Sequence, residues 1–155
     1  MAPRKQPHPE FSHLTPSGEA HMVNVAAKPD QRRRAVAEGC VRCDRKTIAL
    51  LKKRALPKGD VLAVAKIAGI QAAKATSALI PLCHPLPLHH VDVQFKIKLG
   101  AIEIRAEAET TGKTGVEMEA LTAVSVAALA IYDMCKAVDK SMVIDAIRVV
   151  EKTKR

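Results

Sequence analysis

Aromatic side chains are almost missing from this sequence. Phe11, Phe95 and Tyr132 are the only three, and there is no tryptophan. That excludes functions that need a broad aromatic platform, such as stacking of several nucleic-acid bases. A long membrane-type run is missing too. The N-terminus, MAPRKQPHPEFSHL, has no apolar core of the secretory kind. The longest charge-free run of the late apolar segment, Ala120–Tyr132, is 13 residues, short of a bilayer span. No internal repeat is visible. The expectation is a cytoplasmic protein with reduced thiols, among them Cys40, Cys43, Cys83 and Cys135.

What is present describes a globular chain. The 155 residues suit one domain, and the 48% hydrophobic and 26% charged composition is that of a folded protein. The net charge of +9 is concentrated. Residues 28–58 hold eleven Lys and Arg against Asp30, Glu38 and Asp44, so the rest of the chain is nearly neutral. A local basic field suits an anionic partner, whether a phosphorylated small molecule, a nucleic acid or a membrane surface. It equally suits a solvated face that keeps the protein soluble.

Residues 1–18, with four prolines, read as a flexible arm, and 19–155 as a single domain. His21–Ala27 alternates weakly, as a strand does. Arg34–Cys43 is a second strand, interrupted by Gly39. Asp44 caps a short helix over Arg45–Ala55, and Asp60 caps a second that ends near Ile80. Pro81, Pro85 and Pro87 impose an irregular connector. Val91, Val93, Phe95, Ile97 and Leu99 alternate with polar residues in the clearest strand, and Ala101–Thr111 pairs with it after Gly100. A long helix over Val116–Val138, apolar on every side in its middle, requires cover all round, part of it from another subunit. Met142–Val150 is the last strand. Merging the short helix into the first crossover gives βαββαβ, an α+β, ferredoxin-like antiparallel sheet with helices on one face.

Several residues invite chemistry. Cys40 and Cys43 form a C-x-x-C, but on a strand they point to opposite faces, and the nearest further ligands lie about 40 residues on, so structural thiols without metal are expected. Gly112-Lys113-Thr114 has the end of a phosphate loop, but Glu107 replaces the first glycine that loop needs. The turn still opens a helix, whose N-terminus suits an anion. Glu117 and Glu119 in that first turn either complement the helix dipole or accept from a guanine-like or pterin N–H edge. Asp133 and Lys136 share one helix face, as a structural pair or as an acid–base pair whose burial draws both pKa values toward neutrality. Lys58 precedes a helix cap, and His84 sits in the stiff connector.

Taken together, these strings are far more specific. HMVNV at 21–25, KGDV at 58–61, IAGIQAAK at 67–74, LIPLCHPL at 79–86, GKTGVEMEALT at 112–122 and IYDMCKAV at 131–138 occur in this order. Over residues 18–150 the chain resembles the cyclic pyranopterin monophosphate synthases, the molybdenum cofactor biosynthesis protein C family. The resemblance implies a lyase acting on (8S)-3′,8-cyclo-7,8-dihydroguanosine 5′-triphosphate. That substrate is supplied by a radical GTP cyclase, and the products are cyclic pyranopterin monophosphate and diphosphate. It also implies a ferredoxin-like fold and a homohexamer, a trimer of dimers with sites at subunit interfaces. By the same resemblance Asp133, Lys136 and Lys58 take catalytic positions. Leu82, Cys83, His84, Glu117, Met118 and Glu119 take substrate-binding positions, and Lys74 and Arg33 bind the triphosphate. No cofactor is required beyond magnesium accompanying the triphosphate. The chain departs from the family at Asn24, where Asp is usual, and in ending Glu151-Lys152-Thr153-Lys154-Arg155 without a Gly-Gly-Lys-Ser-Gly tail. Two rivals remain at this point: a basic nucleic-acid-binding module on the same fold, and a phosphate-ligand binder without catalysis. Scarcity of aromatics speaks against the first; partners are expected to include neither nucleic acid nor membrane.

Overall fold

The computed structural model describes residues 13–15 and 17–155. Most of the expected arm, residues 1–12 and 16, lies outside the described residues. The His13 carbonyl accepts from the His21 amide at 3.0 Å.

Four strands form one antiparallel sheet: β1 (Gln31–Arg42), β2 (His90–Ile97), β3 (Ala101–Gly112) and β4 (Val143–Lys154), in the order β2-β3-β1-β4. The helices are α1 (Arg45–Lys52), α2 (Val61–Lys74), α3 (Thr76–Leu79) and α4 (Glu117–Cys135). The β2–β3 hairpin pairs Phe95 with Ile104 and Val93 with Ala106, the register that the alternation predicts. The βαββαβ expectation holds, with the first crossover built from three helices. Asp44 and Asp60 cap α1 and α2 as expected, accepting from the amides of Lys46 and Ala63 at 3.1 Å each.

The core is the layer between sheet and helices. Val41, Ile102, Ile104 and Ala106 from the sheet meet Ala120, Ala123, Val124, Ala127 and Ile131 of α4, all buried. Small residues set the spacing. A Cβ on Gly69 would lie 2.9 Å from the Ala123 carbonyl oxygen, so glycine lets α2 lie directly on α4. A Cβ on Gly39 would lie 2.6 Å from Val124. The glycine that interrupts the β1 pattern is therefore the place where α4 touches the sheet.

Three expectations need correction. His21–Ala27 is an unpaired strap, because the Asn24 side chain accepts from the Ala26 amide at 2.9 Å and closes a local turn in competition with sheet pairing. α1 stops at Lys52 and α2 at Lys74, where Ala75 breaks the run before α3. β4 runs to Lys154, past a bulge where register shifts opposite Glu38–Cys40 and Ala146 takes φ 55°.

The all-round cover expected for α4 comes largely from its own chain, with the sheet on one side and α2 on another. Leu129 remains exposed, as do Val64 and Ile67 of α2. By length and composition alone α4 would pass as a membrane span, yet half of it is buried inside this fold. That is the pattern of a core helix.

Candidate active site

The expected residues gather at opposite ends of α4. At its C-terminal end the Asp133 carboxylate takes one ammonium on each oxygen. Lys58 Nζ donates to Oδ2 at 2.6 Å and Lys136 Nζ to Oδ1 at 2.7 Å. Lys58 also donates to the Asp133 carbonyl at 3.1 Å. Lys58 arrives on the α1–α2 loop, which reverses at Gly59 with φ 89°, a conformation that favours glycine. Asp133 and Lys136 are three residues apart and so share a face.

The turn that follows is pinned by Asp139, which is 6% exposed. Its Oδ2 accepts from the Asp44 amide at 2.7 Å and from Thr47 Oγ1 at 3.0 Å. Its Oδ1 accepts from the Ser141 amide at 2.9 Å and from the Ser141 hydroxyl at 2.7 Å. Burial would push this carboxyl up, but the hydrogen bonds outweigh it and hold the pKa below the usual value.

The electrostatics of the cluster reverse one expectation. Asp133 is half exposed, so burial does not draw it toward neutrality. The hydrogen bonds from Lys136 and then Lys58 bring it down to about 2. The same pairing raises the Lys136 ammonium. At neutral pH the group is one carboxylate between two ammoniums.

At the N-terminal end, Glu117, Met118 and Glu119 form the first turn of α4 beside the connector that carries Leu82, Cys83 and His84. Glu119 is only 4% exposed. Burial, reinforced by the charge of Glu117, raises its carboxyl above the ordinary value. The Cys83 thiol is raised by burial and then by the negative charge of Glu119. His84 Nε2 lies 2.7 Å from the Val23 carbonyl oxygen. Arg33 crosses the same end of the fold, donating to the carbonyls of Gly112 and Lys113 and to Gln31 Oε1, each at 3.2 Å. Lys74, the exposed last residue of α2, has no carboxylate partner among the described residues.

Sequence reasoning missed Lys152, which pairs with Glu117 from β4. The bulge at Ala146 shifts the strand's alternation, so the face of Lys152 cannot be counted from the sequence. Asp139 was missed for a similar reason: two of its four hydrogen bonds come from Asp44 and Thr47, remote in sequence.

Asp133 lies fourteen positions after Glu119 on the helix, about 21 Å along its axis. The two groups therefore stand at opposite ends of one helix. A groove of about 760 Å³ beside Leu56, Lys66 and Phe95 and another of about 510 Å³ over Cys40, Glu103 and Arg148 include none of the eleven expected site residues.

Nor is the basic segment one free patch. Arg34 is bound to Glu107 at 2.6 Å and also to Glu151, Arg32 is bound to Glu109 at 2.8 Å, and Arg42 is bound to Asp145. The cross-strand acids that neutralise it come from β3 and β4, far away in sequence. Among the described residues no three His, Cys, Asp or Glu side chains converge as a metal-holding set. Cys43 is a free thiol pushed up to about 11 by burial and then by Asp139, which disfavours the thiolate a metal needs.

Comparison with known proteins follows this geometry. The model of the MoaC family matches residues 22–155. A cyclic pyranopterin monophosphate synthase of Peptoclostridium acidaminophilum is 55% identical over 144 residues, 93% of this chain and 92% of the relative. One of Heliobacterium modesticaldum is 58% identical over 145 residues, 92% of this chain and 91% of the relative. A molybdenum cofactor biosynthesis bifunctional protein of Chlorobaculum tepidum is 59% identical over 144 residues, which span 93% of this chain and 46% of that longer protein.

Proposed function

Since the chain belongs to the MoaC family, we propose that it acts as a cyclic pyranopterin monophosphate synthase in molybdenum cofactor biosynthesis. It is a lyase that converts (8S)-3′,8-cyclo-7,8-dihydroguanosine 5′-triphosphate to cyclic pyranopterin monophosphate and diphosphate. The observation that carries this reading is the Lys58–Asp133–Lys136 cluster, set in a chain that is more than half identical to synthases along nearly their whole length.

The chemistry follows from the protonation states. Lys58 and Lys136 are ammoniums that can give protons, and Asp133 is a carboxylate that can take one. Ring opening, pterin closure and ester cyclisation need protons moved between ring nitrogens, ribose hydroxyls and water. Lys74 is free to bind phosphate. Arg33, whose Nε and Nη2 bind backbone and Gln31, meets phosphate through its remaining nitrogen. Each charge-assisted contact adds roughly 1.5–3 kcal/mol. The ammoniums offset the charge of the leaving diphosphate, and magnesium accompanies the triphosphate as part of the substrate.

Glu117, Met118 and Glu119 with Leu82, Cys83 and His84 hold the purine-derived end. Because the two groups stand about 21 Å apart on one helix, the working site joins the C-terminal end of α4 from one protomer to the N-terminal end from another, in a homohexamer arranged as a trimer of dimers. The exposed Val64, Ile67 and Leu129 favour such association. The enzyme works in the cytoplasm on the product of a radical GTP cyclase.

The test is incubation with the cyclised dihydroguanosine triphosphate. The tricyclic pterin is detected by mass, and diphosphate is released in equal amount. Binding without either product would leave a ligand-binding relative in place of an enzyme.

A further inference from the structure

The strap of residues 22–27 does more than cover the connector. A peptide carbonyl carries no proton and can only accept. At 2.7 Å from the Val23 oxygen, His84 Nε2 must therefore carry the hydrogen. In the neutral ring the lone pair is then on Nδ1, and among the described residues no protein group hydrogen-bonds to that atom. The strap just after Val23 is itself held. The Asn24 side chain accepts from the Ala26 amide at 2.9 Å, Lys113 Nζ donates to the Ala26 carbonyl, and the Lys28 amide donates to the Val25 carbonyl at 3.0 Å. His84 is fixed from the other side by the stiff backbone of Pro81 and Pro85.

We propose that Val23 is the positioning residue of His84. Its carbonyl selects the Nε2–H tautomer, so that the ring meets the substrate with the Nδ1 lone pair. This rests on the reading of His84 as a substrate-facing residue given above. His84 then accepts a hydrogen bond from an N–H or O–H of the purine-derived end, not from a carbonyl of it. When it takes that proton, a new N–H bond forms at Nδ1 and the electron pair stays on the substrate heteroatom. The ring becomes an imidazolium that still donates Nε2–H to Val23, and release of the Nδ1 proton restores the starting tautomer. Asn24 positions at one further remove. What it supplies is an acceptor oxygen, and an aspartate would supply the same one.

The experiment reads the tautomer directly. Sedimented, oligomeric protein labelled with 15N at histidine is observed by magic-angle-spinning NMR at alkaline pH, with the His84 signals assigned by their loss in His84→Gln. The expected spectrum has a pyrrole-like Nε2 and a pyridine-like Nδ1. Asn24→Asp retains it. Asn24→Ala shifts part of the population to Nδ1–H and lowers kcat about threefold to tenfold, the worth of one hydrogen bond. A wild-type spectrum showing Nδ1–H overturns the proposal even if every variant fails to fold, as does an Asn24→Ala protein with wild-type spectrum and rate. The spectrum of the free protein needs no substrate, so its outcome is separate from that of the reaction assay.

Discussion

Replacing Asp139 by asparagine removes the pin between the end of α4 and the start of α1. Each carboxylate oxygen accepts two hydrogen bonds, from Asp44 and Thr47 on one side and from Ser141 twice on the other. Whichever way an asparagine side chain turns, its amide nitrogen faces one backbone N–H. The Thr47 or Ser141 hydroxyl can rotate to accept, but the backbone N–H cannot. One buried donor therefore loses its partner and meets another donor, at a cost of about 2–4 kcal/mol. For a chain of this length that lowers Tm by roughly 5–12 °C. The sign of the pH dependence follows from the depressed pKa of Asp139. Its contribution is complete above the unfolded value of about 3.9 and is lost as pH falls through the lower folded value. The Tm gap between wild type and variant is thus full at pH 7 and closes on acidification. Scanning calorimetry at matched protein concentration measures both. A variant melting within 2 °C of wild type at pH 7, or a gap that widens toward acid, refutes the reasoning.

Three further outcomes are expected. Asp133→Asn lowers kcat by about 10²–10⁴-fold while KM changes little, measured as initial rates of diphosphate release; turnover at the wild-type rate would remove Asp133 from the mechanism. Glu119→Gln lowers kcat/KM without lowering Tm at pH 8. The raised carboxyl contributes stability only below its unfolded pKa and loses it as pH rises through the folded one, so the neutral amide avoids that loss; a Tm drop of many degrees would contradict this. Gly69→Ala forces α2 away from the Ala123 carbonyl and costs about 1–3 kcal/mol, read as an earlier denaturant midpoint with unchanged slope.

Much of this fold was legible because its signals are local. The alternation of Val91–Ile97, the caps at Asp44 and Asp60 and the apolar run of α4 each depend on a few neighbouring residues. The candidate site residues were singled out through long strings such as LIPLCHPL and GKTGVEMEALT, not through any single side chain. What escaped depends on remote partners. Lys152 meets Glu117 from β4, beyond a bulge 6 residues earlier in that strand, and two of the four Asp139 hydrogen bonds come from donors more than 90 residues away. The basic run looked like a free field until Glu107, Glu109 and Glu151 were brought across from other strands. The strap at 21–27 carries a strand-like pattern, but local turn hydrogen bonds to Asn24 and Val25 take the place of sheet pairing.

The central claim is that the two ends of α4 work together only across a subunit boundary. Mixing two inactive variants tests it most directly. Asp133→Asn protein is dissociated, mixed with an equal amount of His84→Ala protein and reassembled. If each site takes one end from each of two protomers, random reassembly leaves about a quarter of the sites with both halves intact, and product formation returns to that fraction of the wild-type rate. A mixture as inactive as its components, after exchange of subunits has been verified by mass, would show that both ends act within a single chain and would contradict the account.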